Sequence, residues 1–233
     1  MKQLVLDLDA DAPPSLDNFV TGANGELLAR LRGLASDEAE QCEHATPLPH
    51  LYLWGSAGSG RSHLLQASVA AAQATGRPAR LVAARDAGSE LPLLDGGLLA
   101  IDDVDALDPP AQIALFNAFN RSRSCGQRLL LAGSQPPLAL ALREDLRTRI
   151  GQCLVYQLQP LDDETRAAII ATLAQRRGLP LASEVLDYLM CHGERELPRL
   201  LAVFEALDAA ALERKRPITL PLLRELIQRG LQL

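Results

Sequence analysis

Through the first two thirds of the chain, short apolar runs closed by glycine or acids alternate with longer segments of helical spacing. The clearest run is Leu51-Tyr52-Leu53-Trp54, ended by Gly55, and its pattern predicts a buried strand. Behind it the spacing predicts a helix from Ser62 to about Ala74, strands over 80–83 and 98–101, a helix over 109–121, and strands over 128–132 and 154–158. The helix at Pro109 has Asp108 as its N-cap and proline in its first position, where no N–H is needed. Strand and helix in alternation imply an α/β fold, a parallel sheet with helices on both faces. Beyond Leu158 the strand signals stop. Helices are predicted over 162–177, 183–191, 196–213 and 220–229, with Asp162, Asp163 and Glu164 at the positive end of the first and Arg176-Arg177-Gly178 at its close. At the other end, Gln3-Leu4-Val5-Leu6-Asp7-Leu8 places leucine at every second position before an acidic, proline-containing stretch, Asp9 to Pro14. The expected organisation is a tail and linker over 1–15, an α/β domain over 16–159 and a small all-helical domain over 160–233.

Charge changes this picture by exclusion. With 23 Lys+Arg against 29 Asp+Glu the net charge is −6, which argues against a protein that coats nucleic acid, because phosphate neutralisation requires a basic face. Four Phe, three Tyr and one Trp leave few platforms for stacking bases, so the core is expected to be aliphatic. Cys42, Cys125, Cys153 and Cys191 lie far apart without a C-x-x-C pair, and no signal peptide or long apolar run is visible. A reducing cytoplasm, with no membrane partner, is therefore expected. His44, His50, His63 and His192 lack metal-ligand spacing, and no Ser, His and Asp arrangement forms a hydrolase signature.

Gly55-Ser56-Ala57-Gly58-Ser59-Gly60-Arg61-Ser62 follows a predicted strand and opens a predicted helix, the context a phosphate-cradling loop requires. Glycines let backbone N–H groups converge on phosphates, the helix N-terminus adds partial positive charge, and Ser62 is placed to ligate Mg²⁺. Position 61 departs from the pattern, because arginine stands where lysine is expected; lysine occurs only at positions 2 and 215. Arginine is planar and longer, so nucleotide binding is expected to survive and efficient self-hydrolysis is expected to suffer. Further on, Leu98-Leu99-Ala100-Ile101-Asp102-Asp103 is an apolar strand ending in two carboxylates. Asp102 is the expected metal-side ligand and Asp103 the group that would polarise attacking water, with a shorter reach than the glutamate usual there. A third strand ends at Gly133-Ser134, where Ser134 is suited to contacting a γ-phosphate or its water. In Leu142-Arg143-Glu144-Asp145-Leu146-Arg147-Thr148-Arg149 arginines alternate with acids. The segment reads equally as solvated helix surface or as the site of an arginine acting on a neighbour's phosphates, an effect worth about 10³ to 10⁵ in rate.

Taken together these segments resemble an AAA+ module of the DnaA family over nearly the whole chain. Leu16-Asp17-Asn18-Phe19-Val20-Thr21-Gly22 is similar to the family's opening motif, which implies that Phe19 and Val20 lie beside the adenine. The phosphate loop, Asp102-Asp103 and a Leu146-x-x-Arg149 box follow in family order. The Arg61-Ser62-His63 ending is similar to DnaA-related regulators of replication initiation, where the initiator itself has lysine. The tail looks like the sliding-clamp-binding motif Q-L-x-L-x-L, which implies that Leu4, Leu6 and Leu8 fill pockets while Gln3 caps the site by hydrogen bonding.

The resemblance implies ADP or ATP with Mg as cofactors, bound by Gly55, Gly58, Ser59, Gly60, Arg61, Ser62 and His63, with Ser62 and Asp102 on the metal side. It further implies docking on the DNA-loaded clamp, DNA contact only through it, and Arg149, rather than Arg147, presented to ATP held by DnaA. Weak or no ATPase activity of its own and self-association, a dimer among the options, complete the set. In the helical lid the family's sensor arginine is expected within Arg195-Glu196-Leu197-Pro198-Arg199; Pro198 takes its slot, so Arg195 or Arg199 substitutes or the contact is absent. Gly151-Gln152-Cys153 replaces the aromatic turn common in relatives. Two other functions compete. Asp102, Asp103, Ser134 and Ser62 would equip an autonomous ATPase or loader, and a DnaA-like initiation factor would need a basic DNA-reading region after residue 233 that is not expected here.

Overall fold

The computed structural model of the chain describes residues 13–36, 50–176, 178, 181–192, 197–214, 216–229 and 231, with Arg176, Leu197 and Pro198 described by their backbone alone. The chain divides into two units between Pro160 and Leu161. Among the described residues no helix is long and apolar enough to cross a membrane.

The first unit holds α1 (Gly25–Ser36), β1 (Leu51–Trp54), α2 (Arg61–Ala74), β2 (Ala79–Ala83), β3 (Leu98–Asp102), α3 (Pro109–Cys125), β4 (Arg128–Gly133), α4 (Glu144–Gly151) and β5 (Leu154–Gln157). The strands form one sheet in the order β2-β3-β4-β1-β5, and every pair is parallel. Because successive side chains point to opposite faces, the apolar runs feed two cores at once. Leu51, Leu53, Ala100, Leu130 and Ala132 pack with Leu27, Leu28, Leu31 and Leu34 of α1 and with Leu64 and Leu65 of α2. Tyr52, Leu99, Ile101, Leu129 and Leu131 pack on the other face with Leu115 and Phe119 of α3 and with Leu146 and Ile150 of α4. This is the parallel α/β architecture expected from the alternation, with helices on both faces.

Two details differ from expectation, and a third settles the local structure of a segment read two ways. No helix is predicted over α1, although Leu27, Leu28, Leu31 and Leu34 repeat at helical spacing and are all buried. Arginines and Gly33 between them dilute the apolar signal. α3 continues past Arg121 to Cys125 and stops at Gly126, whose φ of 68° ends a helix without steric cost. Its start agrees: the Asp108 carboxylate accepts the Ala111 N–H at 2.8 Å. The arginine and acid alternation over 142–149 becomes the short helix α4, anchored by Leu146 and Ile150.

His50, just before β1, ties the start of the sheet to α3. Its Nδ1 accepts the Leu129 N–H at 3.1 Å, so Nε2 carries the proton and faces the Ser122 hydroxyl oxygen at 3.2 Å. Burial, followed by the charges of Arg128 and Arg123, lowers its pKa from 6.5 to about 4. The folded state thus binds this proton less readily than the unfolded one. Stability from the neutral ring is complete above the unfolded value of 6.5 and is lost as pH falls towards 4, a loss of about 3 kcal/mol. In urea unfolding, the stability advantage of the unmodified chain over His50→Gln is expected to shrink by about that amount from neutral pH to pH 4.

The second unit holds α5 (Asp163–Arg176), α6 (Ser183–His192), α7 (Leu197–Arg214) and α8 (Leu220–Gln228). Its core is aliphatic around Phe204, with Ile170, Val185, Leu189, Leu207 and Leu223 buried. The acids predicted at the first turn of α5 act as expected, since Asp162 accepts the Thr165 N–H at 2.7 Å. Glu225 bridges α7 and α8 by meeting Arg214 at 2.5 Å and Arg229 at 2.9 Å, and these arginines, Arg214 first, hold its carboxyl below the usual range.

Candidate functional site

Sheet order assembles the site. In a parallel sheet every strand ends on the same edge, and β3, β4 and β1 are neighbours, so Asp102-Asp103, Ser134 and the Gly55–Gly60 loop lie side by side there. Open α/β sheets bind ligands on this carboxyl edge.

The loop is close-packed at its first glycine and at its last. Gly55 is buried, and a Cβ on it would lie 2.9 Å from Ser59 Oγ and 3.2 Å from Leu158 Cβ. Gly60 caps α2 at φ 95°, a left-handed backbone with no side-chain cap, which leaves the first N–H groups of the helix directed at the loop. Two polar atoms, Ser59 Oγ and Arg61 Nη1, are buried there without a hydrogen-bond partner. Burying a donor unpaired is costly, and a phosphate oxygen satisfies both. The residues therefore fit a nucleotide phosphate. The other amino group of the Arg61 guanidinium lies 3.5 Å from Asp103 Oδ1, an ion pair with one exposed partner. Ser62 is exposed at the first turn of α2.

Asp102 is half-buried and accepts the Asp103 N–H at 3.0 Å. Asp103 has φ 52°, the one non-glycine with a left-handed backbone among the described residues. Aspartate tolerates this region better than most residues, but holding it there is strained. Ser134 is exposed just beyond β4.

The opening segment closes over the loop from another side. The Phe19 ring would lie only 2.6 Å from a Cβ on Gly60 and is tilted against the His63 ring at 5.7 Å between centroids. His63 Nε2–H donates to the Ser15 carbonyl at 3.0 Å, and burial keeps its pKa below 6.5. Val20 is half-buried in the same segment. Asn24, which the sequence does not single out, fastens this segment: its side chain donates to the Gln159 carbonyl at 3.1 Å and accepts the Gln159 N–H at 2.9 Å.

Arg149 is elsewhere. α4 leads into β5, whose first residue pairs with Leu51, so the last turn of α4 lies on the amino edge of the sheet, opposite Gly55. Its guanidinium donates to Asn120 Oδ1 at 3.2 Å and lies 5.8 Å over the Phe116 ring, both on α3. Cys153 fills the turn behind it, and burial pushes its thiol up to about 12. Gln3, Leu4, Leu6, Leu8 and Arg195 lie outside the described residues; Arg199 is exposed on α7 in the helical unit.

Comparison with known proteins bears on the fold. Residues 163–227 match the family model described as Hda, lid domain. Domain III of the Thermotoga maritima replication initiation protein DnaA superposes with a TM-score of 0.72 at 20% identity, covering 96% of this chain and 99% of that one. AMPPCP-bound DnaA from Aquifex aeolicus gives 0.71 at 22% identity, covering 87% of this chain and 67% of that one. The Thermotoga maritima RuvB Holliday junction branch migration motor gives 0.66 at 18% identity, covering 93% of this chain and 72% of that one. The first unit therefore has the AAA+ fold, followed by an Hda-type helical lid.

Proposed function

We propose that this chain, an AAA+ protein whose lid belongs to the Hda family, is a regulator that ends the active state of DnaA by promoting hydrolysis of the ATP that DnaA holds. The observation that carries the proposal is the separation of two phosphate-directed features. The loop cradle on the carboxyl edge has unsatisfied donors for the chain's own nucleotide, whereas Arg149 is held on the opposite edge by Asn120 and Phe116, where it can face a neighbouring molecule.

Nucleotide, ADP in the resting form, is held by the backbone of Gly55, Gly58 and Gly60 and by Ser59, Arg61 and Ser62, with Phe19, Val20 and His63 on the base side. Ser62 and Asp102 would hold magnesium, which would supply positive charge to neutralise the phosphates. Arg61 stands where a compact lysine is usual and is paired with Asp103, the carboxylate assigned to polarising water, so turnover by the chain itself is slow.

In trans, water attacks the γ-phosphorus of ATP on DnaA, the bond to the β-phosphate oxygen breaks, and phosphate leaves with ADP behind. The Arg149 guanidinium stabilises the negative charge that develops on the transferring oxygens. The tail Gln3, Leu4, Leu6 and Leu8 docks as an extended peptide on the sliding clamp, so DNA is reached through the clamp in the cytoplasm. Deleting residues 1–8 is expected to abolish retention on DNA-loaded clamp while leaving ADP binding unchanged. Equal retention with and without the tail would contradict the clamp assignment.

A further inference from the structure

We propose that Asp105 is a positioning residue of the nucleotide site, latching the turn that carries Ser134 and so setting how the chain distinguishes a third phosphate. The inference rests on the reading of the carboxyl edge as a nucleotide site.

Asp105 lies in the 3₁₀ turn Val104–Ala106 that follows the Asp102-Asp103 pair. Both of its carboxylate oxygens accept the Ser134 N–H, at 3.1 and 2.8 Å. This charge-assisted contact joins the end of β3 to the end of β4. From the other side the Tyr52 hydroxyl, on β1, donates to the Gln135 carbonyl at 2.5 Å. Burial, and then the Asp105 charge, raise the Tyr52 pKa, so the hydroxyl keeps its proton and remains a donor.

Both side chains close on Gly133. A Cβ there would collide with the Tyr52 hydroxyl and lie 2.9 Å from Asp105 Oδ1, so the absence of a side chain is what lets them grip the strand end. The left-handed Asp103 starts the turn, its carbonyl accepting the Ala106 N–H at 2.8 Å. One short segment, Asp102 to Asp105, thus begins with the acids assigned to metal and water and ends by holding the residue assigned to the third phosphate. A brace of this kind at the end of a buried strand would also serve the fold alone, and the two roles are separable by experiment.

The full-length chain is compared with Asp105→Ala and Asp105→Asn in its affinities for ATP and ADP and in amide hydrogen exchange at Ser134. In Asp105→Ala, Ser134 exchange is expected to accelerate and ATP affinity to fall about tenfold, while ADP affinity stays within about twofold of the unmodified value. Asp105→Asn retains an oxygen that accepts one N–H and is expected to recover most of the ATP affinity. Equal weakening of both nucleotides would make Asp105 a brace of the fold and overturn the proposal. Unchanged affinities with unchanged Ser134 exchange would overturn the latch itself. An unmodified chain that binds neither nucleotide would overturn the nucleotide reading, and with it the proposal; that failure is recognised before any substitution is compared.

Discussion

Replacing Arg149 with alanine is expected to lower the hydrolysis induced on ATP-loaded DnaA by about 10³-fold or more, while the chain stays folded and ADP-bound. The side chain contributes little to its own domain. α4 is anchored by Leu146 and Ile150, and Arg149 adds one hydrogen bond to Asn120 and a cation–π contact with Phe116 near the surface. Contacts of that kind stabilise by about 1 kcal/mol. On the proposed reading they hold a planar fork in one orientation before a partner arrives, so that little ordering is needed when charge develops on its phosphate. Arg149→Lys keeps the charge and loses the fork, and is expected to recover only a small part of the rate. Phosphate release from DnaA, followed with the loaded clamp present, reads both variants.

Gly60→Val is expected to weaken ADP binding by about 100-fold. The backbone at position 60 has φ 95°, which costs a branched residue about 1–3 kcal/mol, and its Cβ would lie 2.6 Å from Phe19 Cε2. The Phe19 ring must then move, and with it the wall assigned to the base. The strain lowers stability, whereas displacing that wall and the loop it packs against is expected to cost about 3 kcal/mol of binding, which corresponds to the stated loss. Gly76→Val supplies the control. Its φ is 81° with nothing within 4 Å of a Cβ, so it carries backbone strain without a collision at the site. It is expected to lower stability and leave ADP affinity unchanged, as read by nucleotide titration alongside thermal unfolding.

How far the fold is legible in the sequence depends on where its information lies. Buried strands of a parallel sheet are continuous apolar runs, so Leu51–Trp54, Leu98–Ile101 and Leu130–Ala132 announce themselves, and glycine or aspartate at their ends marks the loops. α1 does not, because polar residues and two glycines share its span with the leucines. The last turn of α3, Ser122-Arg123-Ser124-Cys125, lacks apolar spacing and is carried by tertiary contact, with Ser122 buried against His50.

The glycine loop after β1 is legible for a different reason, since its glycines are local requirements of backbone conformation. The residues that hold the site together are not. Asn24 meets Gln159, Tyr52 meets Gln135 and Asp105 meets Ser134 across long stretches of chain, and no local pattern marks an asparagine, tyrosine or aspartate as the partner of a backbone group that only folding brings near. The left-handed Asp103 is likewise invisible in the sequence, because aspartate occurs freely in ordinary conformations.

The conversion of labelled ATP to ADP on DnaA, with sliding clamp loaded on DNA, bears most directly on the proposed regulation. Acceleration by the unmodified, ADP-bound chain that disappears with either Arg149→Ala or deletion of residues 1–8 is the predicted result. No acceleration by the folded, ADP-bound chain, or acceleration that survives the loss of Arg149, would contradict an arginine acting in trans on the ATP of DnaA.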